Sequence, residues 1–144
     1  MADLSALLNT AAEEVLENMF FSGVTGELPG EPGGDRLSAT VSFVGSSEGE
    51  LTVSATASAL SALAAGFLGE EDDAVSEAQL QSVAGELANV LCGAVLGHLN
   101  PKGSFRIAPP RIAREQDGNA IREMEVRKLF ELLEGDLAVG LTVH

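Results

Sequence analysis

The chain has few of the features needed to bind nucleic acid or to enter a membrane. Of its 144 residues, 8 are Lys or Arg and 22 are Asp or Glu, which gives a formal net charge of −14. Because nucleic-acid binding depends on basic contacts to phosphates, this balance argues against a nucleic-acid partner and against an anionic membrane surface. No uninterrupted apolar run reaches the roughly 18 residues that span a bilayer, and no basic segment precedes an apolar one near residue 1. We therefore expect a cytoplasmic protein with no membrane segment.

Cysteine and aromatic residues are also scarce. The single cysteine, Cys92, excludes an intramolecular disulfide and suits a reducing compartment. Trp and Tyr are absent, so the core must rest on Leu, Val, Ala and six Phe. The two histidines, His98 and His144, lack the spacing from which a zinc site could be built. Cys92 has no neighbouring base in the sequence and is interpreted as a buried structural thiol.

The remaining composition predicts a folded single domain. A hydrophobic fraction of 45% beside 21% charged residues is typical of a globular protein. A length of 144 residues is enough for one hydrophobic core. We therefore expect one domain over residues 1–144.

Periodicity and turn residues predict the element order. They indicate a helix over 2–21, a loop over 23–35, a hairpin with strands over 37–43 and 50–56, a helix over 58–68 capped by Gly69, an acidic loop over 70–73, a helix over 77–100 and a short strand over 103–110. The segment 122–133 fits both a helix and a strand. A strand is preferred, because the turn at 134–136 is followed by alternating residues over 137–143.

The predicted helix over 77–100 is the most informative segment. Its apolar stripe is formed by Leu80, Val83, Ala84, Leu87, Leu91, Ala94 and His98. The opposite face carries Ser82, Glu86, Asn89 and Gly93. This face has no Lys or Arg and a single acid, whereas a solvated helix face normally carries several charges. Another surface could therefore approach it closely and meet one carboxylate and one carboxamide.

These residues resemble the motif of the CheC/CheX/FliY family of chemotaxis phosphatases. Glu86 and Asn89 form the Glu-x-x-Asn core, and Ser82 stands four residues before the glutamate. Pro109 or Pro110 follows, two or three residues earlier than the usual spacing of the family. The order of segments fits over nearly the whole chain and is closest to the CheX branch. The resemblance implies an α+β fold, an α/β sandwich with helices packed on a mostly antiparallel sheet.

The resemblance also implies an activity, which is hydrolysis of the aspartyl phosphate of a CheY-like response regulator. Asn89 would orient the attacking water and Glu86 would contact the receiver domain, most simply its active-site lysine. Ser82 and Gly93 would keep the partner-binding surface low. Mg²⁺ would be supplied by the receiver, so the chain would need no cofactor of its own. A homodimer is a further implication.

Other interpretations remain open. The chain could be a non-catalytic CheX-like module that binds a receiver domain or a flagellar switch component. It could also be a structural subunit in which Glu86 and Asn89 are only solvated polar positions. The first helix carries a similar segment, Glu14-Val15-Leu16-Glu17, with Glu17 where the asparagine would stand. We therefore expect one competent site per chain.

Overall fold

The protein is a three-helix, seven-strand sandwich over the part of the chain that the structure, a computed structural model, describes: residues 3–19, 26–68 and 75–144. In chain order the elements are α1 (Leu4–Met19), β1 (Gly26–Glu27), β2 (Asp35–Gly45), β3 (Gly49–Ala55), α2 (Ala57–Leu68), α3 (Glu77–Leu99), β4 (Phe105–Ile107), β5 (Arg111–Gln116), a 3-10 turn (Asn119–Ile121), β6 (Val126–Glu131) and β7 (Asp136–Val143). All strand pairs are antiparallel, in the order β1-β6-β7-β3-β2-β4, and β5 also pairs with β2. The predicted α+β class is confirmed.

The β2–β3 hairpin forms the centre of the sheet. Its helix-facing side chains alternate as the sequence predicts, and Leu37, Ala39, Val41, Phe43, Leu51 and Val53 are all buried. The opposite face is partly covered as well. Ser38 is buried there, and its Oγ donates to the carbonyl oxygen of Ala113 in β5 at 3.2 Å. The alternation of apolar and polar residues in the hairpin therefore separates a fully covered face from a partly covered one, rather than a covered face from a solvated one.

The first two helices occupy the predicted positions. The core positions of α1 are Leu8, Ala11, Ala12, Val15 and Leu16, and their three- and four-residue spacing places them on one side of the helix. The second helix, α2, coincides with the prediction over 58–68. The predicted cap at Gly69 and the acidic loop over 70–73 lie outside the described residues.

The third helix begins at the predicted capping box. The backbone N–H of Gln79 donates to Ser76 Oγ at 3.2 Å, and the backbone N–H of Ser76 donates to Gln79 Oε1 at 2.8 Å. By length and composition alone this helix is apolar enough to cross a membrane. Half of its most apolar window is buried inside the fold, and the helix packs on α1, α2 and the sheet. It is therefore a core helix in this structure.

The buried face of α3 is wider than the predicted stripe. Ala88, Cys92 and Val95 are buried as well, because α3 is covered by α1, α2 and the β2–β3 sheet together. His98, which was predicted to belong to the apolar stripe, is not buried with the other residues of that stripe. His98 is exposed near the end of the helix, and its Nε2 lies 3.1 Å from Glu14 Oε2 on α1.

Two other predictions about elements need correction, and one strand was missed. The predicted loop over 23–35 contains β1, whose two residues pair with β6 through backbone contacts that no side-chain pattern reveals. The predicted strand over 103–110 is shorter, Phe105–Ile107. The strand β5 was not predicted at all, because most of its side chains are polar and exposed. The ambiguous segment 122–133 contains β6, so the preference for a strand is confirmed.

Two consecutive prolines separate β4 from β5 and shift the register. Ile107 lies opposite Phe43, and Arg111 lies opposite Thr40. Between these two pairs the β4–β5 segment advances by four residues while β2 advances by three. Proline donates no backbone hydrogen bond, and the extra residue interrupts the ladder as a bulge does. The second proline, Pro110, contacts α3 at this point.

A buried arginine joins four strands on the sheet face away from the helices. The Arg36 side chain is 0% exposed. Its Nε donates to Ser54 Oγ at 2.9 Å, and its Nη2 donates to Asp136 Oδ1 at 2.5 Å. Ser54 Oγ in turn donates to the Glu115 carboxylate. The network therefore fixes β5 to β2, β3 and β7.

Candidate functional site

Three of the four predicted site residues line one groove of ≈560 Å³ between α3 and β5. On the helix side the groove is lined by Ala78, Gln81, Ser82, Gly85, Glu86 and Asn89, and on the other side by Pro110 and Ile112. Of the two candidate prolines, Pro110 therefore belongs to the groove.

The polar side chains of the groove are free to meet a partner. Glu86 and Ser82 are exposed and Asn89 is half-buried. Because Glu86 and Asn89 are three residues apart on a helix, their side chains share one face. Among the described residues, neither side chain has a hydrogen-bond or ion-pair partner. The carboxylate and the carboxamide can therefore act together on a group that enters the groove.

Gly93 extends the same helix face by one turn beyond Asn89. It is exposed and does not line the groove. A Cβ built at this position meets nothing within 4 Å. Gly93 therefore lies next to the groove rather than in it, and its part in binding a partner stays a prediction.

The second wall of the groove depends on a buried glycine that sequence reasoning did not single out. A Cβ at Gly85 would lie 3.0 Å from Pro110 Cγ and 3.4 Å from Ile112 Cδ1. The absence of a side chain at Gly85 is what lets these two residues lie directly against α3. A glycine in a helix interior costs about 1 kcal/mol relative to alanine, but α3 contains three glycines, so this cost alone does not single out Gly85.

The similar segment in α1 has a different environment. The carboxylate of Glu14 is paired with His98, as described above, and Glu17 is exposed. The Glu14 side chain is therefore already engaged within the fold. A single competent site per chain remains a prediction.

The lone thiol lies away from the groove. Cys92 is buried, and this burial raises the pKa of its thiol from 9.0 to about 12. The group stays protonated at neutral pH and is a poor nucleophile there. The predicted burial of this thiol is confirmed.

A larger concavity, ≈660 Å³, lies on the opposite face of the sheet. Some of its polar groups are paired with one another: the Thr40 and Thr52 hydroxyls are 2.7 Å apart, and Arg111 Nη2 donates to Glu50 Oε2 at 2.7 Å. The side chains of Asn119 and Glu123, which also line it, have no partner among the described residues. Within the described ranges no group of three or more His, Cys, Asp or Glu could hold a metal ion. The α3–β5 groove is the stronger candidate site, because its unpaired carboxylate and carboxamide lie three residues apart on one helix face, as the sequence predicted.

Comparison with known proteins gives a consistent result. The family described as "Chemotaxis phosphatase CheX" matches residues 37–130. No curated protein matches the chain. The chain is similar in structure to the chemotaxis protein CheX from Vibrio vulnificus, with 18% identity, a TM-score of 0.78 and coverage of 99% of this chain and 97% of that one. It is also similar to CheX from Desulfovibrio desulfuricans, with 19% identity, a TM-score of 0.73 and coverage of 99% and 100%.

A third similar structure contains a partner. It is the CheX–CheY–BeF₃–Mg²⁺ complex from Borrelia burgdorferi, with 21% identity, a TM-score of 0.68 and coverage of 100% of this chain and 99% of that one. At these identities the structural matches show a shared fold, and the family match covers more than half of the chain. The chain belongs to the CheX family.

Proposed function

We propose that the protein is a phosphatase that hydrolyses the aspartyl phosphate of a CheY-like response regulator. The observation that carries the proposal is that Glu86 and Asn89 lie side by side in one groove that is open to another protein. Neither side chain has a hydrogen-bond or ion-pair partner among the described residues. Family membership supports this activity. The similar CheX from Borrelia burgdorferi is in complex with CheY, BeF₃ and Mg²⁺, which supports a receiver domain as the partner.

The reaction would require little covalent chemistry from this chain. A water oxygen attacks phosphorus, the bond from phosphorus to the aspartyl oxygen breaks, and the products are inorganic phosphate and the aspartate carboxylate. The transition state of phosphoryl transfer is loose, so placement of the water in line with the leaving oxygen supplies most of the rate gain. The Asn89 carboxamide suits this task, because it can accept from and donate to a water without ionising.

The other residues of the helix face would engage the receiver. The Glu86 carboxylate would pair with a cationic group of the partner, and the receiver's active-site lysine is the simplest choice. Ser82 and Gly93 are exposed and small, so they would let the receiver surface approach Asn89. The Mg²⁺ required for the reaction would be held by the receiver's own acids. This chain would contribute no cofactor.

The setting of this activity is part of the same proposal. We propose a single domain over 1–144, acting in the cytoplasm as a homodimer. The receiver surface would lie over the α3–β5 groove. The net charge of −14 favours a partner that presents cationic groups there.

The proposal is tested by following the loss of ³²P from a phosphorylated receiver, with Mg²⁺ present, with and without this protein. Acceleration in proportion to protein concentration is the expected result. If the protein binds the receiver without accelerating the loss of phosphate, it is the non-catalytic binding module. If it neither binds nor accelerates with any receiver of the same cell, the proposal is wrong.

A further inference from the structure

We infer that Gly85 is a positioning residue, which sets the separation between the Glu86–Asn89 pair and an apolar ledge formed by Pro110 and Ile112. The inference rests on the proposed function and deepens it. The receiver would dock into a groove with one polar wall and one apolar wall, and Gly85 would determine how far apart these walls lie.

The three glycines of α3 differ sharply in their surroundings. Gly85 is buried, and a Cβ there would meet Pro110 and Ile112 at 3.0 and 3.4 Å. At Gly93 and Gly97 a Cβ would meet nothing within 4 Å, and both residues are exposed. Helix propensity alone would favour alanine at all three positions. The contact with the ledge is therefore what distinguishes Gly85.

The apolar ledge complements the polar helix face across the groove. Pro110 and Ile112 are half-buried, so each presents part of its carbon surface to the groove opposite Glu86 and Asn89. A receiver segment that carries an apolar side chain beside its phosphorylated aspartate would contact both walls. Such contact removes apolar surface from water and orients the segment relative to Asn89.

The strand β5, which carries Ile112 of the ledge, is held in place by hydrogen bonds on the far face of the sheet. Glu115, three residues after Ile112, accepts from Ser54 in the buried network of Arg36 on the far face of the sheet. Ser38 Oγ donates to the Ala113 carbonyl oxygen in the same strand. Because β5 is held in this way, a methyl group added at Gly85 would have to be accommodated by a local shift of α3 at the adjacent Glu86 or by a shift of the Pro110 ring.

The expected consequence is a decrease in activity that depends on Pro110. A contact of 3.0 Å must open by a few tenths of an ångström. A misplacement of 1 Å can lower a rate by about 100-fold, so we expect Gly85→Ala to lower kcat/KM for the phosphorylated receiver by about 10-fold. Pro110→Ala removes the Cγ atom in question. The double variant Gly85→Ala/Pro110→Ala should recover most of this decrease relative to Pro110→Ala alone.

The experiment measures receiver dephosphorylation by the full chain and by the variants Gly85→Ala, Pro110→Ala, the double variant and Gly97→Ala. Gly97→Ala is the matched control, since it adds the same methyl group to the same helix in open space. Far-ultraviolet circular dichroism and thermal unfolding identify any variant that does not fold. The side-chain NH₂ resonances of Asn89, in the free protein, provide a readout that needs no receiver. We expect them to shift in Gly85→Ala and to return toward wild type in the double variant.

The outcomes separate this inference from the proposed function. If the wild type is active and Gly85→Ala, while folded, has undiminished activity, the positioning role is wrong. Additive decreases in the double variant, with no return of the resonances, would also overturn it. If the wild type is inactive, the proposed phosphatase fails. In that case two measurements test the positioning role: the resonances, and the affinity of each variant for a beryllofluoride-activated receiver with Mg²⁺. If Gly85→Ala changes neither the resonances nor the affinity relative to wild type, the positioning role is wrong.

Discussion

Arg114 in β5 forms an ion pair with Glu77 in the first turn of α3 and thereby connects the two elements that flank the groove. The two side chains are 73% and 50% exposed, so the pair contributes about 0–1 kcal/mol to stability. This ion pair is therefore too weak to set the separation of the walls, which we attribute to the close approach of Pro110 to Gly85. The groove thus contains two polar side chains, Glu86 and Asn89, that have no partner among the described residues. Each can be substituted separately to test its role.

Glu86→Lys should weaken binding of the receiver without unfolding the protein. The substitution reverses the charge that is proposed to meet a cationic group of the partner. We expect KM to rise about 10-fold or more, because an attractive charge pair at the interface becomes a repulsive one. Titration of the receiver in the dephosphorylation assay measures this change. Glu134→Lys is the matched control, because Glu134 is an exposed acid in the turn after β6. Equal KM values for the two variants would contradict the role of Glu86.

Gly93 should tolerate a small side chain but not a large one. Gly93→Ala adds a methyl group in open space on a helix, so it should raise the free energy of unfolding by up to about 1 kcal/mol. Gly93→Leu should remain folded and reduce receiver binding, because its side chain stands above the face that the receiver is proposed to approach. Urea unfolding and binding titrations test the two effects. Full binding by Gly93→Leu would show that the receiver does not cover this turn.

The sequence predicted those parts of the fold and site that depend on local patterns. The β2–β3 hairpin follows from alternating residues, and the start of α3 follows from the capping box at Ser76 and Gln79. The shared face of Glu86 and Asn89 follows from helix geometry. Each of these features is determined by residues that are close to one another in the sequence.

The parts that were missed depend on neighbours distant in sequence. β5 has mostly exposed polar side chains and is a strand because it pairs with β2. His98 has the helical spacing of a core residue, yet it pairs with Glu14 at the end of the helix. The importance of Gly85 depends on Pro110, which only the folded chain brings into contact.

Arg36→Met should strongly destabilise the protein. The substitution removes the guanidinium from Asp136 and from the Ser54 side chain and carbonyl oxygen. Breaking a buried pair costs about 3–5 kcal/mol. Because Asp136 retains 26% exposure, we expect a smaller decrease in stability, about 2–4 kcal/mol. Urea unfolding at neutral pH measures it, with the exposed Arg106→Met as control. A decrease no greater than that of the control would show that the network is not structural.

Stability should fall as the pH rises above 9, through Cys92. Burial raises the pKa of this thiol from 9.0 to about 12. Between these values the unfolded chain has released a proton that the folded chain retains, so rising pH favours unfolding. The slope is at most about 1.4 kcal/mol per pH unit. Below about pH 8 the thiol is protonated in both states, so it makes almost no pH-dependent contribution there.

The dependence can be isolated because few other groups titrate in that range. The chain has no Tyr and only two lysines, Lys102 and Lys128. Urea unfolding at pH 8, 9 and 10 should show a steeper decline for the wild type than for Cys92→Ala. The comparison uses slopes, since the cavity left by the smaller side chain lowers stability at every pH. Identical slopes would contradict the effect of burial on the thiol.

The most direct test of the proposed function is the dephosphorylation rate of Asn89→Ala compared with wild type, at saturating phosphorylated receiver and Mg²⁺. The matched control is Asn119→Ala, which changes an exposed asparagine next to the opposite face of the sheet. We predict that Asn89→Ala remains folded and lowers the protein-dependent rate by at least about 100-fold, because the attacking water loses its orientation. Asn119→Ala should retain full activity. Undiminished activity in a folded Asn89→Ala protein would contradict the proposed role of this carboxamide.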